Sequence, residues 1–145
     1  MPLDTMQSNM AAGVPEVGKH TFSFRIALAG LTNADVLTSF VPGFKFAIEK
    51  VMFAVQAAVT TAAKLATITP KIDAVAITGG VLALTSANCT PKGKVLTGTT
   101  VTGANDDNLG SDTSSITLTA SAVTAFVEGD GELIIILRNR EVGIP

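Results

Sequence analysis

Gly43-Phe44-Lys45-Phe46-Ala47-Ile48-Glu49-Lys50-Val51-Met52-Phe53-Ala54-Val55-Gln56-Ala57-Ala58-Val59 is the stretch on which the fold turns. Phe44, Phe46 and Ile48 share one parity; Val51, Phe53 and Val55 share the other. Successive side chains on a strand point to opposite faces, so an apolar face survives only while the parity holds. The change at Glu49-Lys50 therefore predicts a β-bulge or sharp kink there. The competing reading is a helix over Val51 to Leu65, since alanine is common there. Val59, Thr60 and Thr61 weigh against it, because β-branched residues lose side-chain freedom in a helix.

Period two continues on both sides of this stretch. Phe22, Phe24, Ile26 and Leu28 alternate with Thr21, Ser23, Arg25 and Ala27, which describes a strand with one core face. Val36 to Val41 reads as a second short strand, ended by Pro42-Gly43. Thr67 to Asp73 reads as a strand that Pro70 places at an edge or bend. Val75 to Thr78 and Val81 to Thr85 flank Gly79-Gly80 and read as a tight hairpin. Ser86 to Gly93 is a turn region, and Lys94 to Val101 is another alternating strand. Thr102 to Ser115 is the longest polar loop. Ile116, Leu118 and Ala120 begin a strand that Val123 to Val127 continues or follows. Glu128-Gly129-Asp130-Gly131 is a turn signal before Leu133 to Leu137. Eight or nine short strands at spacings of roughly 8 to 12 residues predict a sandwich or barrel. Residues 1–18 have no period and carry Pro2, Gly13, Pro15 and Gly18. They read as an extended arm, either a terminus without fixed structure or one that orders against a partner. The expected organisation is an N-terminal arm over 1–18 and a single β-sandwich domain over 19–145.

At 145 residues the chain is long enough to bury about two-thirds of its surface without disulfides or metals. Hydrophobic residues make up 47% and charged residues 15%, against about 25% charged in an ordinary soluble domain. The 19 Thr and 8 Ser supply polarity instead. So little charge suggests that part of the surface is covered by something else. One Cys and one His exclude a disulfide framework, Cys-rich zinc sites and His-paired zinc motifs. Ten Lys+Arg against 12 Asp+Glu argues against a nucleic-acid face. The absence of Trp and Tyr removes the usual stacking platforms for bases and sugars. Met1 to Ala12 lacks the basic and apolar regions of a signal peptide. Val51 to Ala66 is short for a membrane span and is interrupted by Gln56, Thr60, Thr61 and Lys64. The expectations are therefore no cofactor, no nucleic acid and no membrane partner.

Candidate chemistry is sparse. His20 and Cys89 would form a nucleophile pair only if the fold brought them together with an orienting group. Asp106-Asp107-Asn108-Leu109-Gly110-Ser111-Asp112 faintly resembles a calcium loop, but position 117, where the distal Glu would fall, is Thr. Glu128, Asp130 and Glu132 would suit a glycosidase pair, yet Asp and Gly are ordinary hairpin residues. The expectation is that the protein is not an enzyme and has no catalytic, cofactor or metal residues. The most informative run is Leu133-Ile134-Ile135-Ile136-Leu137, apolar on both faces of a strand. A sandwich strand ordinarily has one face in the core and one in water. Either a second layer of the same chain covers this strand, or Leu133, Ile134, Ile135, Ile136 and Leu137 form an oligomer or capsid interface.

A family resemblance covers roughly residues 64 to 138. It is carried by Ala76-Ile77-Thr78-Gly79-Gly80-Val81-Leu82-Ala83-Leu84-Thr85, by Ser86-Ala87-Asn88-Cys89-Thr90-Pro91-Lys92-Gly93, and by Ser114 to Phe126 followed by Gly129-Asp130-Gly131-Glu132-Leu133-Ile134. The chain resembles the small capsid decoration (cement) or head-fibre-like structural proteins of tailed-bacteriophage virions. The resemblance implies a jelly-roll-like antiparallel β-sandwich, assembly with itself as a homotrimer, and binding to the major capsid protein on the outer capsid surface. The alternative is a β-sandwich module of a phage fibre that recognises carbohydrate or a receptor. Such a module usually presents an exposed aromatic ring.

Overall fold

The computed structural model describes residues 18–141. Among them are ten strands: β1 (Lys19–Ala27), β2 (Asp35–Phe40), β3 (Phe46–Ala57), β4 (Leu65–Ile72), β5 (Val75–Ala76), β6 (Leu82–Thr85), β7 (Val95–Thr97), β8 (Leu109–Gly110), β9 (Ile116–Thr124) and β10 (Asp130–Asn139). They form two antiparallel sheets packed as a sandwich, which is the all-β class expected. The first sheet has the order β1-β10-β3, with β7 and β8 both on the far side of β3. The second has the order β2-β9-β4, with β5 and β6 both on the far side of β4. The expected arm over 1–18 lies, Gly18 apart, outside the described residues.

β3 carries the predicted bulge. Its partner in β10 shifts register between Ile136, opposite Lys50, and Leu137, opposite Ile48, which leaves Glu49 as the extra residue. The bulge lets Phe46 and Ile48 on one side of it, and Val51, Phe53 and Val55 on the other, all face the core. β3 continues as a strand to Ala57, so the helical reading fails. Cross-strand pairing satisfies its backbone while the apolar face is buried, and the alanines' helix propensity is overridden. Leu133, Ile135 and Leu137 of β10 meet Ile68, Leu82, Leu84, Ile116 and Leu118 of the second sheet, all inaccessible to solvent.

Three sequence expectations need correction. Gly79-Gly80 is not a hairpin turn: β5 and β6 pair with opposite ends of β4 and not with each other. The glycines instead allow backbones to touch. A Cβ on Gly79, at φ +96°, would lie 2.0 Å from the Thr100 carbonyl oxygen. Pro70 sits in a strand flanked on both sides, opposite Leu118 of β9. It is tolerated because the ladder on its other side breaks between β5 and β6. The Pro70 carbonyl accepts from the Ile77 N–H on that side, so the missing N–H also faces the gap. The strand expected over Lys94 to Val101 is paired only at Val95–Thr97, and the long polar loop contains the short β8.

Candidate functional site

β10 is the inner strand of the first sheet, and its alternation divides the five-residue apolar run. Leu133, Ile135 and Leu137 are fully buried in the intramolecular core, so the interface expectation does not extend to them. Ile134 and Ile136 point to the outer face and are half-buried. In register with Ile134 stand Ser23 of β1 and Met52 of β3; in register with Ile136 stand Thr21 and Lys50. Ala54 and exposed Val95 extend the apolar stripe toward β7. The outer face therefore has an uncharged centre of Met52, Ala54, Ile134 and Ile136, bordered on β1 by small hydroxyl side chains.

Lys50 and Glu132 flank this centre in register with Ile136 and Ala54, and ion pairs stand at both ends of the face. The bulge residue Glu49 takes Lys19 at 3.3 Å and Arg138 at 3.2 Å. At the other end Arg25 reaches Asp130 at 3.1 Å. Partly exposed pairs of this kind contribute about 0–1 kcal/mol each. Their larger effect is to make the rim polar around an apolar centre.

A second feature lies where β1 and β2, the outermost strands of the two sheets, face each other. Phe40 of β2 meets Phe22 at 4.9 Å and Phe24 at 5.5 Å, both edge to face. His20 packs on Phe44 at 4.9 Å. Phe22, Phe24 and Phe40 are half-buried and close this side of the sandwich. Sequence pattern assigned Phe22 and Phe24 to the core face; their pairing with Phe40 depends on topology, which no local pattern reveals.

The polar candidates do not converge. Cys89 is buried; its thiol donates to Asn88 Oδ1, and burial pushes its pKa up. His20 is exposed at the start of β1 and contacts phenylalanine rings, so the two do not form a nucleophile pair. In the acidic loop, Asp107 Oδ2 accepts from the Thr78 N–H at 2.8 Å and the Thr78 hydroxyl at 2.6 Å. Asn108 Nδ2 donates to the Ile48 carbonyl. These side chains fasten the loop to β3 and to the segment after β5. Among the described residues no group of three His, Cys, Asp or Glu is arranged to hold a metal ion.

The carboxylates near the last turn have separate tasks. Glu128 accepts from the Thr61 N–H at 2.9 Å, the Thr61 hydroxyl at 2.7 Å and the Thr60 N–H at 3.0 Å. Those donors, Thr61 first, hold its carboxyl below the usual range. Asp130 is engaged by Arg25, and Glu132 stands opposite Arg25 on the outer face. The Glu128 clasp on the 58–64 loop was not legible in advance, because it joins residues 67 and 68 positions apart.

The described surface also has shallow clefts. One, of about 300 Å³, is lined by Ile26, Ala27, Gly30, Leu31, Asp35 and Val36. Another, of about 280 Å³, lies between the 59–63 loop and the segment Ser86 to Thr90. Neither gathers a set of reactive side chains. No family model matches the chain, and no curated protein or solved structure is significantly similar to it.

Proposed function

We propose that the chain is a non-enzymatic structural protein of a tailed-bacteriophage virion. In this reading it is a decoration, or cement, protein that binds the major capsid protein on the outer surface of the shell as a homotrimer and stabilises it. The observation that carries the reading is the outer face of the first sheet. Its centre, Met52, Ala54, Ile134 and Ile136, is apolar and half-buried; Lys50 and Glu132 flank it in register, and ion pairs stand at both ends. A face of this composition suits contact with protein better than contact with water.

The strand order supports the same reading. β1 pairs with β10, β2 with β9, and β3 with β8, as if one long hairpin were folded over into two sheets. We read this order as a jelly roll, an arrangement used widely in viral shells. A protein that binds the assembled shell but not free subunits stabilises the shell by linkage. Three linked copies add avidity, so each contact can be weak. Carbohydrate recognition is less favoured, because the half-buried phenylalanines are engaged edge-on with one another.

The test has two parts. Light scattering behind a sizing column should give three times 14.8 kDa, and the protein should sediment with bare capsid shells. Ile134→Lys should reduce both while leaving the melting temperature of the fold within a few degrees. A monomer that ignores shells at high concentration refutes the proposal.

A further inference from the structure

We propose that the cleft at the Ala27 end of β1 binds an alkylammonium group, the side chain of a lysine carried by a protein partner. The site lies apart from the centre of the outer face and stands independently of the shell-binding reading.

The cleft is built on the core. The chain leaves β1 through a short 3-10 turn at Leu28–Gly30 and enters β2 at Asp35. Leu28 and Leu31 are buried beneath this connection, and Ile26 and Val36 pack on the same core. The Leu28 N–H donates to the Gly129 carbonyl at 2.9 Å, and the Ala34 carbonyl accepts from the Ala120 N–H at 2.9 Å. Both sides of the cleft are therefore tied to neighbouring segments, which holds the space between them open. That space, about 300 Å³, is at the lower end for a small-ligand site.

The lining states what fits. Ile26, Ala27, Leu31, Ala34 and Val36 make it mostly apolar, and Asp35 brings a carboxylate. That carboxylate is half engaged: Oδ1 accepts from the Thr119 hydroxyl at 2.8 Å, and Oδ2 accepts from no described residue. The surroundings are negative as well. Asp130 stands opposite Ala27, and Glu132 opposite Arg25. Arg25 is taken up by Asp130 at 3.1 Å, and Asp130 Oδ1 is buried without a donor among the described residues. An apolar slot with a carboxylate beside it favours a cation that carries its own hydrocarbon stem.

Two features choose lysine over arginine. A guanidinium binds a carboxylate best through both oxygens at once, and Thr119 already holds one of them. An ammonium is a point charge that one oxygen can serve, and the Thr32 hydroxyl at the same cleft is a further acceptor. A shallow cleft encloses the stem and leaves whatever bears it outside, which suits a side chain projecting from a protein surface.

Amide chemical-shift titration of the full chain tests the site. The probe is Nα-acetyl-lysine methylamide, with its norleucine and arginine counterparts as controls. The lysine probe should shift the amides of Gly30, Leu31, Ala34 and Val36 with a Kd of about 1–10 mM at low salt. The norleucine counterpart has the stem without the charge and should bind about tenfold more weakly. The arginine counterpart should bind about threefold more weakly. Asp35→Asn keeps an acceptor for Thr119 and should weaken the lysine probe about tenfold. Gly30→Leu is the steric test. A Cβ at Gly30 meets nothing within 4 Å, so the larger side chain occupies the cleft without displacing the fold and should abolish the shifts. Cadaverine, a free diamine, tests the source of the ammonium and should bind no more tightly than the lysine probe. Norleucine binding as well as lysine, shifts that survive Asp35→Asn or Gly30→Leu, or a clear preference for cadaverine overturns the proposal. Ile134→Lys acts on the outer face and should leave the titration unchanged, so loss of shell binding is read apart from loss of this site.

Discussion

Gly110 should be the most intolerant position of the short strand β8, and the reason is one ring. Gly110 pairs with Phe46 across the β3–β8 ladder and is buried. A Cβ added there would lie 2.2 Å from Phe46 Cζ, 2.4 Å from Cε1 and 2.8 Å from Cε2. Carbon atoms in contact sit at about 3.5–4.0 Å, so the ring must retreat by more than about 1 Å. Phe46 has no exposed surface and is enclosed by the core. Overpacking of this kind costs about 1–3 kcal/mol, and the short contacts put Gly110→Ala at the upper end. For a chain of this size that lowers the melting temperature by about 6–10 °C. The control is a double-mutant cycle. Phe46→Leu alone loses ring burial worth about 1–3 kcal/mol, but it also vacates the space that the new methyl group needs. The double variant should therefore be no less stable than Phe46→Leu, so the coupling equals the full cost of Gly110→Ala, about 3 kcal/mol. Urea unfolding followed by far-ultraviolet circular dichroism reads this, since the chain has no Trp or Tyr to report by fluorescence. A loss below about 0.5 kcal/mol, or additivity within about 0.5 kcal/mol, refutes the reasoning.

Other expectations concern charge, thiol access and the two faces of β10. Glu128 and Asp73 both have depressed pKa values, through donors from Thr61 and from Ser115 respectively. A depressed carboxyl stabilises the fold fully above its unfolded value, about pH 4, and loses that contribution as pH falls through the folded value. Glu128→Gln should lower the melting temperature near pH 7 and flatten its decline toward about pH 2; an unchanged acid limb counts against the clasp. Cys89 should resist a thiol reagent in the native protein and react fully once unfolded, because it is buried with a raised pKa. Fast native labelling would mean that the segment after β6 opens locally. In urea unfolding, Ile135→Ala should cost about 2–5 kcal/mol, whereas Ile134→Ala on the outer face should cost much less; equal losses would contradict the assignment of faces.

What was legible in the sequence was whatever is local. Alternation in β1 and β10 is a period-two signal, and the parity change at Glu49-Lys50 is a count of one residue; both correspond to features of the structure. The two-faced run in β10 was equally visible, but its meaning depended on which faces another sheet covers. The answer lies in Ile68, Leu82, Ile116 and Leu118, which are far away in sequence. Gly79-Gly80 misled for a related reason. A glycine pair between apolar runs fits a turn and also fits close approach of two backbones, and only the position of Thr100 decides. Pro70 shows the same limit. Its missing donor is harmless beside a gap in the ladder, and the gap exists because β4 is flanked by two short strands instead of one long one. In the candidate surface, it is the register of β3 on β10 that sets Met52 and Ala54 beside Ile134 and Ile136, and that register no local pattern specifies.

The same register argument bears on why so weakly charged a chain keeps its few charges where they are. Exposed ion pairs add little stability, so Lys19, Glu49 and Arg138 are poorly explained as a brace for the sheet. The bulge that turns Phe46 and Ile48 inward also turns Glu49 outward, to the end of β1, where it tempers two cations. At the opposite end of β1, Arg25 tempers Asp130 in the presence of Glu132. The strand between the two ends presents Thr21 and Ser23 on its outer side, so the charges mark the rim of the face and add only a small stabilisation within one copy. Glu49→Gln should accordingly change the melting temperature by no more than a few degrees, and that difference should fade as salt screens the pairs.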